Sequence, residues 1–223
     1  MNLCLAGVLD ADALQAVRVA LAGAAFADGS STAGWHAAKV KHNEQATHEV
    51  AAQRVHQALM NHALFRAAAL PARLRPPLFS RYTPGMGYGP HMDDALMAVS
   101  GSPGALRADL AVTVFLSDPA SYDGGELVIE GPGGTSAFKL EPGQALVYPA
   151  TTLHRVAEVT RGERLAAVLW VQSLVRDASR REILFDLDTA RRGLWEKSGQ
   201  TATPEFDLVS KTYANLLRAW SEP

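Results

Sequence analysis

The sequence LVYPATTLHRVAEVTRGERLAAVLWVQSLVRD, residues 146–177, contains three short apolar and β-branched runs that are separated by turn-forming and polar residues. Runs of this length between such breaks are typical of β-strands. The same rhythm begins after Pro77 and passes through LFSRYTP, DLAVTVFLSD, GGELVIEG and TSAFKLEPG. It favours an all-β sandwich or barrel over βαβ units. A jelly roll is the expected form, because its mouth can collect side chains from strands that are far apart in sequence.

Helical patterns precede this β region. Asp10 is the predicted N-cap of an amphipathic helix that runs to about Ala27. A second helical stretch covers residues 46–69, and Pro71 followed by the pair Pro76-Pro77 ends it. The apolar positions assigned to the two helices are Leu14, Val17, Val19 and Leu21 in the first, and Val50, Val55, Leu59, Leu64 and Phe65 in the second.

The chain becomes helical again from Asp177, and a last helix is predicted from Pro204 to Trp220. The apolar positions assigned to this region are Ile183, Leu184, Leu187, Leu194, Leu208, Val209, Tyr213, Leu216, Leu217 and Trp220. These helices either cap the β domain or form a dimer interface, and a homodimer is the preferred assembly.

The predicted fold class is therefore α+β. It consists of a double-stranded β-helix (jelly-roll) domain at residues 77–176, an N-terminal region of supporting helices at residues 1–76, and a C-terminal helical extension at residues 177–223.

The composition is that of a soluble globular protein, with 48% hydrophobic and 20% charged residues. The formal net charge of −2 and the lack of a Lys/Arg run give no reason to expect a nucleic-acid partner. Cys4 is the only cysteine, so the chain forms no internal disulfide, which favours a reducing compartment. The N-terminus lacks the basic lead of a signal peptide, and no apolar run approaches the length of a membrane span. We expect a cytoplasmic protein without a membrane partner.

The pattern His91-Met92-Asp93 is the first indication of chemistry. In an extended segment residues i and i+2 point to the same side, so His91 and Asp93 can reach one metal ion while Met92 points away. His154, at the start of a later strand, supplies a third ligand. Two imidazoles and one carboxylate form the facial triad of non-haem Fe(II) oxygenases. Zinc sites use the same ligand types, so these residues alone leave the metal open.

Arg164 follows His154 by ten residues, across a turn at Thr160-Arg161-Gly162, and is expected on the next strand with its side chain pointing inward. A guanidinium among apolar neighbours needs an anionic partner, because burial of an unpaired charge costs several kcal/mol. Its planar fork suits a bidentate carboxylate. A surface arginine on an edge strand, or one paired with a protein carboxylate, is the alternative.

The order RYTPGMGYGPHMD, TVFLSD, YDGGELVIE and LVYPATTLHRVAEVTRGERLAAVLWVQSLVRD resembles that of the 2-oxoglutarate- and Fe(II)-dependent dioxygenases. Among them it is most similar to the bacterial PKHD-type hydroxylases, relatives of the prolyl and lysyl hydroxylases. The resemblance covers nearly the whole chain. It implies that His91, Asp93 and His154 bind Fe(II), that Arg164 holds the distal carboxylate of 2-oxoglutarate, and that L-ascorbate rescues oxidised iron. Succinate and CO2 are the implied co-products of C–H hydroxylation by dioxygen.

Other residues near these motifs are weaker candidates. Tyr82 and Tyr148 flank the ligand segments and can hydrogen-bond 2-oxoglutarate, although packing is an equal alternative. Tyr88, Trp170 and Gln172 are candidates for the substrate pocket, the last two because strict alternation gives them the face of Arg164. Alternation turns Asp94 away from the ligands.

Several further segments are open to two interpretations. Residues 95–108 form either a lid over the substrate or a long connection, and residues 39–43 can offer polar groups to a substrate groove. Gly124-Gly125 indicates a tight hairpin.

The alternative functions are a cupin-like metal-binding module without oxygenase activity and a zinc hydrolase. The expected substrate is a peptide or a small molecule, with a link to iron homeostasis, and the sequence does not determine which.

Overall fold

The computed structural model describes residues 1–98, 104–131 and 133–222. The strands are β1 (Leu3–Leu5), β2 (Ala27–Asp28), β3 (Lys41–His42), β4 (Glu44–Ala46), β5 (Pro71–Leu74), β6 (Leu78–Tyr82), β7 (Gly87–His91), β8 (Leu96–Ala98), β9 (Ala105–Arg107), β10 (Leu110–Phe115), β11 (Asp123–Gly124), β12 (Leu127–Gly131), β13 (Gly134–Phe138), β14 (Ala145–Pro149), β15 (His154–Val156), β16 (Val159–Arg161) and β17 (Arg164–Ser173). The α-helices are α1 (Ala11–Ala22), α2 (Glu49–Asn61), α3 (Ala63–Ala69), α4 (Ala178–Lys197) and α5 (Pro204–Trp220).

Two antiparallel sheets form the centre of the molecule. The larger sheet has the order β1-β14-β10-β17-β6-β4-β2, with β5 also paired to β17. The smaller sheet has the order β13-β12-β15-β7-β3. Strands that are neighbours in a sheet are mostly distant in sequence, as the predicted jelly roll requires. Segments from opposite ends of the chain therefore meet between the two sheets.

The larger sheet is buried on both faces, and strand β10 shows how. Its even-numbered residues Leu110, Val112 and Val114 pack in a cluster with α1, α2 and α3, whereas Ala111 and Phe115 pack between the two sheets. This alternation follows from the two-residue period of a strand. A strand with both faces covered has no polar side, which explains why Thr113 is the only residue of β10 that is not apolar.

The first helix is shorter than predicted. Asp10 is its N-cap, accepting a hydrogen bond from the Ala13 backbone N–H at 2.8 Å, but the helix ends at Ala22. Its buried residues are Leu14, Val17 and Leu21, which share one face, whereas Val19 is 63% exposed.

The second predicted helix is two helices. His62 adopts an extended backbone conformation between α2 and α3, and its Nδ1 caps α3 by accepting from the Phe65 N–H. Val50 lies on the side of α2 opposite Leu59, and Leu64 belongs to the separate helix α3. Val55, Leu59 and Phe65 are buried, but Val50 and Leu64 are exposed, which contradicts their assignment to the core.

The N-terminal region contributes strands as well as helices, because β1 to β4 join the sheets at their edges and β5 pairs with β17. At the other end of the chain, Tyr213, Leu216, Leu217 and Trp220 pack around a small core of Leu70, Val175 and Leu184. The apolar stripe of α5 thus packs within its own chain. Ile183 and Leu208, which were assigned to the apolar face, are exposed.

Strands β8 and β9 pair as the two arms of a hairpin and cover part of the predicted lid, residues 95–108. Residues 99–103 of that prediction lie outside the described residues. The predicted hairpin at Gly124-Gly125 is wrong: Gly124 lies in β11, which pairs with β16 rather than with its neighbour in sequence. Among the helices within the described ranges, none combines the length and apolar character of a membrane span.

The carboxylate of Asp109 ties this hairpin to the rest of the fold. It accepts hydrogen bonds from Arg107 Nε at 2.8 Å and from the Ser173 backbone N–H at 2.9 Å. Arg107 in turn contacts Glu222 near the C-terminus at 3.2 Å. One buried carboxylate therefore holds β9, β17 and the C-terminal segment together.

We expect Asp109→Ala to lower the free energy of unfolding by about 3 kcal/mol, because it removes the buried bidentate acceptor of Arg107 and leaves the buried Ser173 N–H without an acceptor. Denaturant titration measures the change. Asp123→Ala is the matched control, since it removes an exposed carboxylate whose partner Arg161 is also exposed. Equal midpoints for the two variants would contradict the assigned role of Asp109.

Candidate metal and dicarboxylate site

The three predicted metal ligands lie together between the sheets. His91 ends β7 and His154 begins β15, and the two residues are directly paired across these neighbouring strands. Asp93 follows two residues after His91, and the ligand atoms of the three side chains lie within 4.8 Å of one another. Met92 between them is 57% exposed, as predicted from the alternation.

Both imidazoles are oriented by the main chain. His91 Nδ1 lies 2.8 Å from the Gly89 carbonyl oxygen, and His154 Nδ1 lies 2.9 Å from that of Thr152. Because a carbonyl oxygen only accepts, each Nδ1 carries the proton, and each Nε2 presents its lone pair to the space between the rings. This is the tautomer that a metal ligand requires when Nε2 binds the ion.

The charge states of the ligands also suit a cation. Burial, with a contribution from the neighbouring His154, lowers the pKa of His91 to about 3, so its ring is neutral at pH 7. Burial raises the pKa of the Asp93 carboxyl, which His154 partly offsets. Asp93 Oδ2 is buried without a hydrogen-bond partner among the described residues. A bound divalent cation would satisfy this oxygen and keep the carboxylate ionised.

Arg164 begins β17, directly paired with Tyr82 of β6, and is 2% exposed. Its guanidinium lies over the rings of Tyr82 and Phe115, with 5.1 and 5.6 Å from its central carbon to the ring centroids. Within the described ranges, no carboxylate oxygen lies within 4.0 Å of it, and Nε has no hydrogen-bond partner. A buried cation without a protein anion fits a bound carboxylate.

The predicted aromatic residues surround the ligands. Tyr148 is buried with its ring edge-on to that of His154, at 5.2 Å between centroids. The Tyr88 ring stacks on His91 at 3.4 Å, and burial raises the tyrosine's pKa. The Trp170 indole also lines the cavity, and its Nε1 makes no hydrogen bond to a described residue. Tyr88 and Tyr148 therefore both pack against the ligand rings and lie at the site.

These residues line one cavity of about 200 Å3. Its lining contains His91, Asp93, His154, Arg164, Tyr82, Tyr148, Tyr88 and Trp170, but not Gln172. Gln172 lies on the same face of β17 as Arg164. The two residues are eight positions apart, however, and eight residues of an extended strand span roughly 26 Å. There its Oε1 accepts from the backbone N–H of Arg107 in β9.

Three charged residues line the cavity in addition to those predicted as ligands: Lys41, Arg75 and Asp94. Asp94 was expected to point away from the ligands, but its exposed side chain also lines the cavity. Lys41 belongs to the segment that was predicted to offer polar groups. No sequence pattern marked Arg75 as a site residue, because it reaches the cavity only through the pairing of β5 with β17.

Family models match most of the chain. Residues 77–172 match the 2OG-Fe(II) oxygenase superfamily, and residues 177–222 match the PKHD-type hydroxylase C-terminal domain. A PKHD-type hydroxylase of Synechococcus elongatus is 52% identical over 227 aligned positions, which cover all of both chains.

Solved structures share the fold at low sequence identity. A viral collagen prolyl hydroxylase from Paramecium Bursaria Chlorella virus-1, in complex with 2-oxoglutarate, superimposes with a TM-score of 0.53 at 18% identity, covering 77% of this chain and 96% of the other. A prolyl hydroxylase from Trichoplax adhaerens, in complex with a hypoxia inducible factor peptide, gives a TM-score of 0.56 at 13% identity, covering 76% and 82%. The predicted α+β jelly-roll fold is confirmed.

The family relationship also confirms the predicted reaction class over a binding module without oxygenase activity. The chain belongs to the PKHD-type hydroxylases and is an Fe(II)- and 2-oxoglutarate-dependent dioxygenase.

Proposed function

We propose that His91, Asp93 and His154 hold the Fe(II) ion of this dioxygenase and that Arg164 binds the distal carboxylate of 2-oxoglutarate. One observation carries the proposal: three converging ligand atoms lie in the same cavity as a buried guanidinium that has no carboxylate partner within the described ranges. The first group suits a divalent cation, and the second suits a dicarboxylate.

When bound, Fe(II) supplies the oxidative decarboxylation of 2-oxoglutarate to succinate and CO2 that hydroxylates a C–H bond, with L-ascorbate as the reductant of oxidised iron. The protein's residues position and shield the reactants. The two imidazoles stay neutral and fixed, and Arg164 sets the direction of the dicarboxylate. Tyr82 and Tyr148 exclude water from this end of the cavity, since both are almost fully buried.

Anaerobic addition of Fe(II) and then 2-oxoglutarate tests the proposal. We expect a weak visible charge-transfer band that requires both additions, because only chelation of the ion by the keto acid produces it. Exposure to air should then release succinate. A protein that binds neither Fe(II) nor 2-oxoglutarate under these conditions would contradict the assigned site.

Gly125 provides a test of how Arg164 is positioned. Its φ is +68°, and a Cβ atom at this position would lie 2.9 Å from Arg164 Cδ and 2.9 Å from a ring carbon of Tyr122. We expect Gly125→Ala to lower the free energy of unfolding by about 2 kcal/mol through backbone strain and crowding. Because the added methyl group displaces Arg164, the affinity for 2-oxoglutarate should fall as well, as measured by titration of the charge-transfer band.

Gly193→Ala is the matched control for this substitution. Gly193 lies within α4, and a Cβ there would meet no atom within 4 Å. Its replacement should stabilise the protein by roughly 1 kcal/mol and leave 2-oxoglutarate binding unchanged. An unchanged 2-oxoglutarate affinity in Gly125→Ala would show that Arg164 does not depend on this glycine.

The hydroxylated substrate is proposed to be a peptide or a small molecule. The prolyl hydroxylase from Trichoplax adhaerens, solved with a peptide fragment, supports the first possibility by analogy of fold alone. A screen of peptides and metabolites for substrate-dependent succinate release distinguishes the two. A cytoplasmic location, a homodimer and a link to iron homeostasis stay predictions.

A further inference from the structure

Two cations of the cavity wall have no role in the proposed binding of iron and 2-oxoglutarate. They are Lys41, at the edge of the smaller sheet, and Arg75, which follows β5 beside the larger sheet. Both line the cavity that contains the metal ligands. Burial lowers the pKa of Lys41 and the charge of Arg75 lowers it further, whereas the carboxylate of Asp93 raises it.

Lys41 is 6% exposed, and its described partners are neutral. Its Nζ donates to Thr32 Oγ1 at 2.8 Å and to Gln45 Oε1 at 3.2 Å, and it lies 5.2 Å from the centroid of the Tyr88 ring. Among the described residues, no carboxylate oxygen lies within 4.0 Å of Nζ. Burial lowers its pKa to about 8, so the ammonium is mostly charged at pH 7. A buried ammonium with neutral partners is costly unless an anion joins it.

Arg75 is held in place without using its N–H donors. Its guanidinium lies over the Trp170 ring, with 5.1 Å from its central carbon to the centroid, and its backbone N–H donates to the Trp170 carbonyl oxygen at 2.9 Å. In the described part of the chain its guanidinium makes no hydrogen bond or ion pair. Stacking on an aromatic face leaves the in-plane N–H groups available for an acceptor.

The charges of the bound site leave these two cations unmatched. Two neutral imidazoles and Asp93 leave Fe(II) with one positive charge, which together with Arg164 balances the two negative charges of 2-oxoglutarate. The other charged residues of the cavity wall are two cations, Lys41 and Arg75, and one carboxylate, that of Asp94. Asp94 is exposed and lies outside ion-pair distance of both cations.

We propose that the hydroxylated substrate carries a carboxylate group and that Lys41 and Arg75 bind it beside the iron. The inference rests on the proposed function and deepens it by naming the substrate class. A planar carboxylate can accept from the guanidinium fork with one oxygen and from the ammonium with the other. The C–H bond to be hydroxylated then lies close to an acidic group of a small molecule or of an acidic peptide residue.

Proton relaxation of acetate measures this binding without a known substrate. The protein is loaded with Mn(II), a paramagnetic and redox-inert substitute for Fe(II), and saturated with 2-oxoglutarate. We expect the methyl protons of added acetate to relax faster because acetate binds near the metal, whereas the neutral isostere acetamide shows no such effect. Wild-type protein that leaves acetate relaxation unchanged would overturn the proposal.

Four variants assign the effect to particular residues. Lys41→Met and Arg75→Gln should each weaken acetate binding by about ten- to a hundredfold, the loss expected for a charged hydrogen bond. Lys39→Met and Arg73→Gln are matched controls. Lys39 is exposed, Arg73 donates to the Ala105 carbonyl oxygen, and neither lines the cavity. Acetate relaxation that persists in both test variants means that acetate binds the metal itself, and this also overturns the proposal.

Two further measurements separate this inference from the proposed function. Electron paramagnetic resonance of free Mn(II) reports whether the metal binds, so a failure of the iron site is recognised before acetate is added. The dissociation constant of 2-oxoglutarate should be unchanged in Lys41→Met and Arg75→Gln. A large increase in either variant would assign that cation to 2-oxoglutarate instead of the substrate.

Discussion

Replacing His154 by alanine is expected to abolish Fe(II) binding and, with it, the formation of succinate. His154 is one of only three ligand side chains at the site, and substitution of residues that merely support metal ligands already lowers affinity by about ten- to a hundredfold. We therefore expect a loss of more than about a hundredfold for the ligand itself. Anaerobic Fe(II) titration measures it, and the charge-transfer band should disappear.

The fold should survive this substitution. His154 lines the cavity between the sheets and belongs to neither large apolar cluster, and its described hydrogen bond is made to the main-chain oxygen of Thr152, two residues earlier. The thermal midpoint should change little. His56→Ala, at an exposed position of α2, is the control and should retain iron and activity. Stoichiometric Fe(II) in His154→Ala would remove this residue from the ligand set.

Arg164→Leu should have the second large effect, on 2-oxoglutarate alone. Removing one partner of a buried charge pair costs about 2–5 kcal/mol, so the dissociation constant of 2-oxoglutarate should rise by about thirtyfold or more. Fe(II) binding should persist, because the ligand atoms belong to other side chains. Titration of the charge-transfer band with 2-oxoglutarate measures the shift.

The same substitution has an opposite expected effect on stability. Leucine replaces a buried cation that has no carboxylate partner within the described ranges, so the free energy of unfolding without 2-oxoglutarate should stay the same or rise. A structural arginine would give the reverse result. Arg161→Leu, three residues earlier and exposed, is the control. An unchanged 2-oxoglutarate affinity in Arg164→Leu would refute the assigned role.

The sequence predicted the strands after Pro77 well, but it missed strands β1 to β5 of the N-terminal region and predicted the faces of the helices less well. The strands are bounded by residues that break structure, and such local signals are independent of tertiary contacts. In contrast, Val50 was assigned to the core although it lies on the side of α2 opposite Leu59. Leu64 was assigned to the same face, but the break at His62, where a side chain caps the next helix, places it in a separate helix whose buried residues are Phe65, Ala68 and Ala69. Composition gives no sign of such a break, because histidine is uncommon as a cap.

The residues of the candidate site likewise divide into those that the sequence could predict and those that it could not. His91, Asp93 and His154 could be predicted to meet because their spacing and strand positions carry the information. Gln172 could not be excluded, because alternation defines a face but not how far along it the cavity extends. Arg75 could not be found, because it reaches the cavity only through the pairing of two strands that are about a hundred residues apart in the chain.

The hydrogen bonds from the two ligand imidazoles to Gly89 and Thr152 have a consequence for how the site tolerates sequence change. Each acceptor is a main-chain carbonyl two residues before its histidine, so no side-chain replacement elsewhere can remove it. The local backbone therefore determines the orientation of both rings, and the metal is not needed for it. Both imidazoles therefore face the proposed metal position before iron binds, and changes in the side chains of the surrounding walls leave their two hydrogen bonds intact.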